Sequence, residues 1–207
     1  MLEVLLGLAA VVIGYLLGSI PGAYIIARLS KGIDIRKVDT GNVGAASTMR
    51  AIGIWQGIIV AVIDIAKGSA AILTAQALGV SLPWILGAGF AAFIGHNYPI
   101  YIGFKGGQGA ATAIGLFLVL TPFATLCTLI VLAIILCINF KFILRRFFLA
   151  ILAAGPTLPI FIWIFYGSIK LVIYAAFIIA FMICKNWHSV KMPWEPGGSS
   201  RKAKGNP

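Results

Sequence analysis

Charged residues are scarce in this chain of 207 residues. Asp, Glu, Lys and Arg make up 10% of the sequence, whereas hydrophobic residues make up 61%. Soluble domains carry roughly 25% charged residues, because a single core cannot hide so much apolar surface. The composition therefore excludes a soluble domain and indicates an integral membrane protein.

Residues that ligate metals or act as nucleophile–base pairs are also few. The sequence has two histidines, three cysteines and five acidic residues, and it contains neither G-x-S-x-G nor H-E-x-x-H. A Ser-His-Asp hydrolase and a His-ligated metal enzyme are therefore excluded. The cysteines all lie inside apolar runs, which is typical of small buried side chains. We expect no metal and no cofactor, and a chemistry of hydrogen-bond donors and cations that suits an anionic substrate.

Long apolar runs recur along the chain, and a membrane-spanning helix needs about 20 such residues. Barrel strands would be shorter and would alternate polar with apolar residues, so we predict an all-α protein. Glu3 stands where a signal peptide would have basic residues, so the first run is interpreted as an uncleaved helix. The predicted segments are residues 2–27, 54–80, 83–102, 109–121, 123–140, 147–166 and 168–184.

The fourth segment is too short to span a bilayer unaided, which predicts a tilted, broken or partly re-entrant element that ends at Thr121 and Pro122. Basic residues concentrate on the cytoplasmic side of membrane proteins. With seven helices and the N-terminus outside, the outer loops carry only Lys170. The inner ends, loops and tail then carry Arg28, Lys31, Arg36, Lys37, Arg50, Lys105, Lys141, Arg145, Arg146 and the basic residues from Lys185 to Lys204.

We therefore predict about seven transmembrane helices, with the N-terminus outside and the C-terminus cytoplasmic. Residues 1–192 are predicted to form a single transmembrane domain. Residues 193–207, "PWEPGGSSRKAKGNP", lack apolar periodicity and predict a disordered, basic cytoplasmic tail. The net charge of +11 follows mostly from this topology, so it indicates anionic lipid and anionic substrates and does not require nucleic acid. The sequence leaves the oligomeric state open.

A polar stretch, "KVDTGNVGAASTMR", interrupts the apolar sequence from Lys37 to Arg50. Closely spaced glycines allow successive backbone N–H groups to point into one concavity that can cradle a phosphate. Asn42, Ser47 and Thr48 add side-chain donors, and Arg50 can grip phosphate oxygens with two bonds. The same residues also fit an interfacial loop that needs glycine for its turns and arginine for topology.

A second polar stretch, "GHNYPIYIGFKGGQGAAT", runs from Gly95 to Thr112. It places His96 at the end of the third segment and a glycine-rich turn around Lys105 before the fourth segment. Free N–H groups and the positive dipole end of the fourth helix would face that turn, which favours an anion site. His96, taken by itself, is also consistent with a residue that only makes hydrogen bonds at the membrane surface.

Two charged residues, Asp64 and Lys67, lie within the second apolar segment. Three residues apart, they share a helix face and can pair, which lowers the cost of placing each in the bilayer. Both a functional site and a structural ion pair that supports the helix bundle are consistent with this spacing.

The chain resembles the bacterial PlsY family of acylphosphate:glycerol-3-phosphate acyltransferases. The similarity lies in "LGSIPGAYIIARLSKGIDIRKVDTGNVGAASTMRAIG", in "DIAKG" and in "GHNYPIYIGFKGGQGAATAIG". The resemblance implies a seven-helix, multi-pass protein of the bacterial inner membrane whose active site is on the cytoplasmic face. It also implies acyl phosphate and glycerol 3-phosphate as substrates, with membrane lipid around the protein.

The resemblance assigns residues one by one. It implies catalytic roles for Arg50, His96 and Lys105, with Asp64 and Lys67 supporting the site. Thr40 stands where the family usually has Ser, and Gln108 where it usually has a phosphate-binding Lys. The family's tail motif matches only Asn186 and Glu195, loosely, within "CKNWHSVKMPWEPG". The substrate-binding positions implied are Thr40, Gly41, Asn42, Gly44, Ser47, Gly106, Gly107, Gln108, Gly109, Asn186 and Glu195.

The departures at Gln108 and in the tail leave two other functions open. One is a lipid-binding paralogue without catalysis. The other is a membrane anion transporter, since broken helices beside a glycine-rich turn suit that role too. The lack of an internal repeat and the clustering of polar stretches on one side favour the enzyme.

Overall fold

The computed structural model describes residues 1–38, 41–138 and 147–187. Within these ranges the regular elements are all helical, as expected for an all-helical integral membrane protein. Short 3-10 turns cover Ile35–Lys37 and Ile100–Ile102. The α-helices are α1 (Leu2–Ser19), α2 (Gly22–Lys31), α3 (Ala45–Ala51), α4 (Ile54–Ala77), α5 (Leu82–Asn97), α6 (Ala110–Leu120), α7 (Pro122–Ile138), α8 (Phe147–Ala154), α9 (Thr157–Tyr166) and α10 (Ile169–Lys185).

Every predicted apolar segment contains helix. Among the described residues, three stretches are long and apolar enough to cross a bilayer: Leu2–Lys31, Ile54–Ala77 and Leu149–Tyr166. The short fourth segment is confirmed, because α6 has 11 residues and ends just before Thr121 and Pro122. At 1.5 Å per residue α6 is roughly 16 Å long, about half the hydrocarbon thickness. The number of crossings and the orientation remain predictions.

Prolines change three of the predicted segments. The first is not one helix, because α1 ends at Ser19 and α2 begins after Pro21, whose ring removes an N–H donor and clashes with the preceding turn. The sixth is likewise divided into α8 and α9 at Gly155 and Pro156. The third ends at Asn97 instead of 102, two residues before Pro99.

Helix α1 packs closely against α5 through its glycines. A Cβ atom on Gly14 or on Gly18 would collide with the carbonyl oxygen of Ala88 or of Ala92, respectively. Small residues let two backbones approach in this way, which is how helices gain packing contacts within a membrane. The approach fixes the C-terminal end of α5 next to the break between α1 and α2.

Helix α6 is held against α4 by a similar contact. Gly68 faces the backbone of Thr112, Gly115 faces the backbone of Ile65, and the Ser69 hydroxyl donates a 2.9 Å hydrogen bond to the Gly115 carbonyl. The first turn of α6 is thereby placed beside the middle of α4, where Asp64 and Lys67 lie.

The largest buried cluster joins α4, α5, α6, α7, α9 and α10. Its largest fully buried side chains are those of Ile72, Phe93, Leu116, Phe117, Ile162 and Ile178. Many other large apolar side chains are exposed on the outside of the bundle, as expected where lipid is the solvent. Examples are Val12, Val62, Ile134, Trp163 and Ile173.

Candidate functional site

The two polar stretches of the sequence meet in the structure. Arg36 forms a two-pronged ion pair with Asp34, with Nη2 at 2.7 Å from Oδ2 and Nε at 2.9 Å from Oδ1. Its Nη1 donates a 2.9 Å hydrogen bond to the carbonyl of Ile102. Arg36 therefore ties the segment before the first polar stretch to the second one.

Hydrogen bonding to the Arg36 guanidinium lowers the pKa of the Asp34 carboxyl to about 2. Asp34 thus stays ionised well below the range in which an ordinary aspartate takes up a proton. A cavity of about 190 Å³ opens between the two stretches. Its lining consists of Asp34, Arg36, Lys37 and Lys105.

The first polar stretch folds into a turn followed by the seven-residue helix α3. Gly41 has a φ of +73°, the left-handed conformation that glycine adopts without strain. Arg50 is exposed on the last turn of α3, whereas Ser47 and Thr48 are fully buried. The Thr48 hydroxyl donates to the carbonyl of Gly44, so it stabilises the start of α3. Thr40 lies outside the described residues.

Asp64 and Lys67 form the ion pair that their spacing indicates, with Nζ at 2.8 Å from Oδ1. Both residues are buried, and the Lys67 ammonium also donates to the carbonyl of Ile20 at the break between α1 and α2. His96 completes the group, because its Nδ1 lies 3.4 Å from Asp64 Oδ1. This buried network links α1, α4 and α5, and the contact of His96 with Asp64 is not predicted by the sequence.

His96 presents its other nitrogen to the glycine-rich turn. Since a carboxylate can only accept a hydrogen bond, a neutral His96 paired with Asp64 carries its hydrogen on Nδ1 and leaves Nε2 as an acceptor. A Cβ atom on Gly107 would collide with that Nε2, and it would lie 2.7 Å from the carbonyl oxygen of Val43. The backbone at Gly107 thus passes between His96 and the first polar stretch, where the space admits glycine but no larger residue.

The rest of the turn leads into α6. The Gly107 N–H donates to the His96 carbonyl at 3.1 Å. The Lys105 side chain is exposed. Gly109 precedes α6 with a φ of +90°, and as a glycine it has no side chain of its own to cap that helix. The N–H groups of the first turn of α6 consequently face the space beyond the turn.

Lys185, at the end of α10, is a candidate site residue that the sequence did not predict. Its ammonium donates to the backbone carbonyl of Asn97 (3.2 Å), to Asn97 Oδ1 (3.1 Å) and to the carbonyl of Gly107. It also lies 4.8 Å from the centre of the Tyr98 ring. A lysine at the end of an apolar segment is typical of the membrane boundary and does not by itself indicate a binding site. The sequence predicts a role in the site only for its neighbour Asn186.

Asn186 lies against the same turn. Its Nδ2 donates to the carbonyl of Gln108 at 3.3 Å and to that of Met182 at 2.8 Å. The side chain is buried, and both of its amide hydrogens are directed at the protein. The contacts place Asn186 behind the turn. Glu195 lies outside the described residues.

A second cavity is apolar and begins at the start of α6. It has a volume of about 70 Å³ and extends between α6, α7, α8, α9 and α10. Ala110, which follows Gly109 directly, is part of its wall. Larger side chains along the wall include Phe117, Leu132, Ile178 and Met182.

Comparison with known proteins gives one consistent family. The family described as glycerol-3-phosphate acyltransferase matches residues 8–192. A glycerol-3-phosphate acyltransferase of Anaeromyxobacter sp. (strain K) is 44% identical over 130 residues, which is 61% of this chain and 65% of the relative. Glycerol-3-phosphate acyltransferase 1 of Dehalococcoides mccartyi is 42% identical over 161 residues, covering 77% of this chain and 76% of the relative. This chain thus spans about 65% of the first of these relatives.

Two crystal structures have the same fold. Both are of PlsY (YgiH), an integral membrane glycerol 3-phosphate acyltransferase, one in its glycerol 3-phosphate form and the other in its lysophosphatidic acid form. The first has a TM-score of 0.80 and 33% identity, and the match covers 89% of this chain and 90% of that chain. The second has a TM-score of 0.75 and 32% identity, covering 89% of both chains.

Proposed function

The chain belongs to the glycerol-3-phosphate acyltransferase family, and from this premise we propose that it transfers an acyl group from acyl phosphate to the 1-hydroxyl of glycerol 3-phosphate. The products are lysophosphatidic acid and inorganic phosphate. The bond between the acyl carbon and the phosphate oxygen breaks, and an ester bond to the glycerol oxygen forms. The observation that carries the proposal is the meeting of the two polar stretches at Val43 and Gly107, next to the hydrogen bond from Arg36 to Ile102.

The reaction mainly requires that the protein position its two substrates. Acyl phosphate is a mixed anhydride with a good leaving group, so little acid catalysis is needed. What remains is to bring two anionic substrates together and to stabilise charge at the acyl carbonyl. The basic side chains at the meeting of the two stretches, Arg36, Lys37 and Lys105, support this role because they line one cavity.

We assign one phosphate to each stretch. The backbone from Gly41 to Ala45 together with Arg50 holds one, and Lys105 with the turn from Gly106 to Gly109 holds the other. Support comes from the exposed positions of Arg50 and Lys105 and from the uncapped start of α6. The arrangement brings the glycerol 1-hydroxyl to the acyl carbonyl.

The hydroxyl proton has two possible acceptors in this scheme. His96 Nε2 faces the turn, and its pairing with Asp64 leaves that nitrogen as an acceptor. The departing phosphate is the other acceptor and would need no protein base. The acyl chain is proposed to leave the turn at Ala110 and lie in the apolar cavity beside Phe117 and Met182.

The site is proposed to face the cytoplasm of a bacterial cell, where water-soluble glycerol 3-phosphate is available. The basic residues near the inner helix ends support this orientation. Gln108 favours a second candidate, a lipid-binding protein without catalysis, because a neutral amide stands in the turn that would bind phosphate.

The decisive assay uses the purified protein with palmitoyl phosphate and glycerol 3-phosphate, and measures lysophosphatidate. Product formation that depends on both substrates is the expected result. Reconstituted liposomes provide the comparison, since phosphate flux without product would indicate an anion transporter. A folded protein that binds lipid and yields neither product nor flux would instead indicate the lipid-binding alternative.

A further inference from the structure

The end of α10 contacts two successive peptide groups of the glycine-rich turn. Lys185 donates to the carbonyl of Gly107, and Asn186 donates to the carbonyl of Gln108. The two donors are neighbours in the sequence, and both are anchored elsewhere: Lys185 on Asn97 and Asn186 on Met182. The end of α10 therefore holds the turn through the carbonyl oxygens of Gly107 and Gln108, on the side of the turn that faces α10.

Holding the carbonyls also fixes the direction of the N–H groups. In a trans peptide the C=O of one residue and the N–H of the next point in opposite directions. With the oxygens of Gly107 and Gln108 directed at α10, the N–H groups of Gln108 and Gly109 point away from it. The left-handed Gly109 that follows is typical of a backbone concavity that binds anions.

Lys185 also adds a charge. Its ammonium uses its three hydrogens on three oxygens, two of Asn97 and one of Gly107, so its position is fixed. The side chain at position 108 is a neutral amide. A positive charge on the carbonyl side of a peptide still attracts an anion on its N–H side, because the Coulomb interaction energy falls only with the first power of the distance between the charges.

We propose that Lys185 is a positioning residue of the phosphate site: it orients the N–H groups of Gln108 and Gly109 toward a bound phosphate and supplies positive charge from behind the turn. The inference rests on the proposed function for the identity of the substrate. The contacts themselves involve only the turn, α5 and α10.

Inorganic phosphate is the first probe, because its binding does not depend on acyl transfer. Binding to the purified full-length protein is measured by calorimetry in detergent. Lys185→Gln keeps a hydrogen-bond donor and removes the charge, and it should weaken phosphate binding about tenfold. The matched control is Lys170→Gln at the opposite end of α10, which should bind like the wild type.

A second cation tests whether charge is the cause. Adding Gln108→Lys to Lys185→Gln should restore phosphate affinity to within about threefold of the wild type. If the double variant stays tenfold weaker, or if Lys185→Gln binds phosphate like the wild type, the proposal is wrong. Should Lys185→Gln fail to fold, Lys185→Met takes its place: a tenfold loss of phosphate affinity supports the proposal, and wild-type affinity overturns it.

Kinetics with glycerol 3-phosphate give a readout that a merely structural residue would not give. Lys185→Gln should raise KM about tenfold while kcat stays within about threefold. An equal loss in kcat with unchanged KM contradicts a role in holding phosphate. Absence of acyl transfer in the wild type would refute the proposed function and would leave the phosphate-binding comparison to judge Lys185 on its own.

Discussion

Single residues of the site differ in how far the sequence reveals them. Gly107 and Lys105 stand in a glycine-rich turn that is visible in the sequence, and both lie where the two polar stretches meet. Lys185 and the contact of His96 with Asp64 were not predicted, because they depend on residues that are far apart in sequence. Pairings of that kind follow from helix packing and leave no local pattern.

Gly107 gives a prediction at this scale. Gly107→Ala should lower kcat/KM for acyl transfer at least a hundredfold, because the added methyl group collides with His96 Nε2 and displaces the turn. Overpacking of this kind costs about 1 to 3 kcal/mol of stability. Steady-state kinetics and thermal unfolding measure the two effects.

The matched control is Gly87→Ala in α5, where the nearest atom to the new Cβ is Val11 Cγ2 at 3.4 Å. It should keep wild-type kinetics. A Gly107→Ala enzyme with kcat/KM equal to that of the control would show that the turn is not where the structure puts it.

The buried pair of Asp64 and Lys67 gives a prediction about stability. Lys67→Met removes the closest cation from a buried carboxylate and should cost about 3 to 5 kcal/mol. Replacing both partners, as Asp64→Asn with Lys67→Met, should cost less than the single change, because no uncompensated charge is left. Denaturant unfolding in detergent gives the free energies of Lys67→Met, Asp64→Asn and the double variant, and a double variant as destabilised as the sum of the two single variants would be evidence against the pair.

Whole helices follow from the sequence more closely than their breaks do. The seven apolar segments all contain helix, and the short α6 was expected. The breaks at Pro21 and Pro156 were not predicted, since a hydropathy average does not register a missing N–H donor. Helix α3 was not predicted either, because its seven residues mix small polar and apolar side chains without an amphipathic pattern.

The contact of α1 with α5 can be tested through Gly18. Gly18→Val should reduce the free energy of unfolding by about 1 to 3 kcal/mol, because any Cβ at this position meets the Ala92 carbonyl oxygen. Leu16→Val is the control on the exposed side of the same helix. Equal unfolding midpoints for the two variants would contradict the close approach of the helices.

At the scale of the whole molecule, the family and the all-helical fold were predictable, because the motifs are long and the apolar runs are many. The orientation in the membrane rests on charge alone. The contacts within the helix bundle are the same whichever side faces the cytoplasm, so the distribution of basic residues is what predicts the orientation.

Cysteine labelling makes that orientation testable. In a variant with Cys127, Cys137 and Cys184 replaced by Ala, a single cysteine is introduced at exposed Ser81 or at exposed Tyr101. Intact spheroplasts treated with a membrane-impermeant maleimide should label position 81 only, and permeabilised ones should label both. Labelling of position 101 in intact spheroplasts would reverse the predicted topology.

The function proposed for this protein is acyl transfer from acyl phosphate to the 1-hydroxyl of glycerol 3-phosphate. The most direct measurement gives the purified protein palmitoyl phosphate and glycerol 3-phosphate labelled with ¹⁸O in its 1-hydroxyl, and follows both products by mass spectrometry. Acyl transfer by this route releases one unlabelled phosphate for every lysophosphatidate and leaves all of the label in the new ester. Phosphate released without ester, or label found in phosphate, would contradict it.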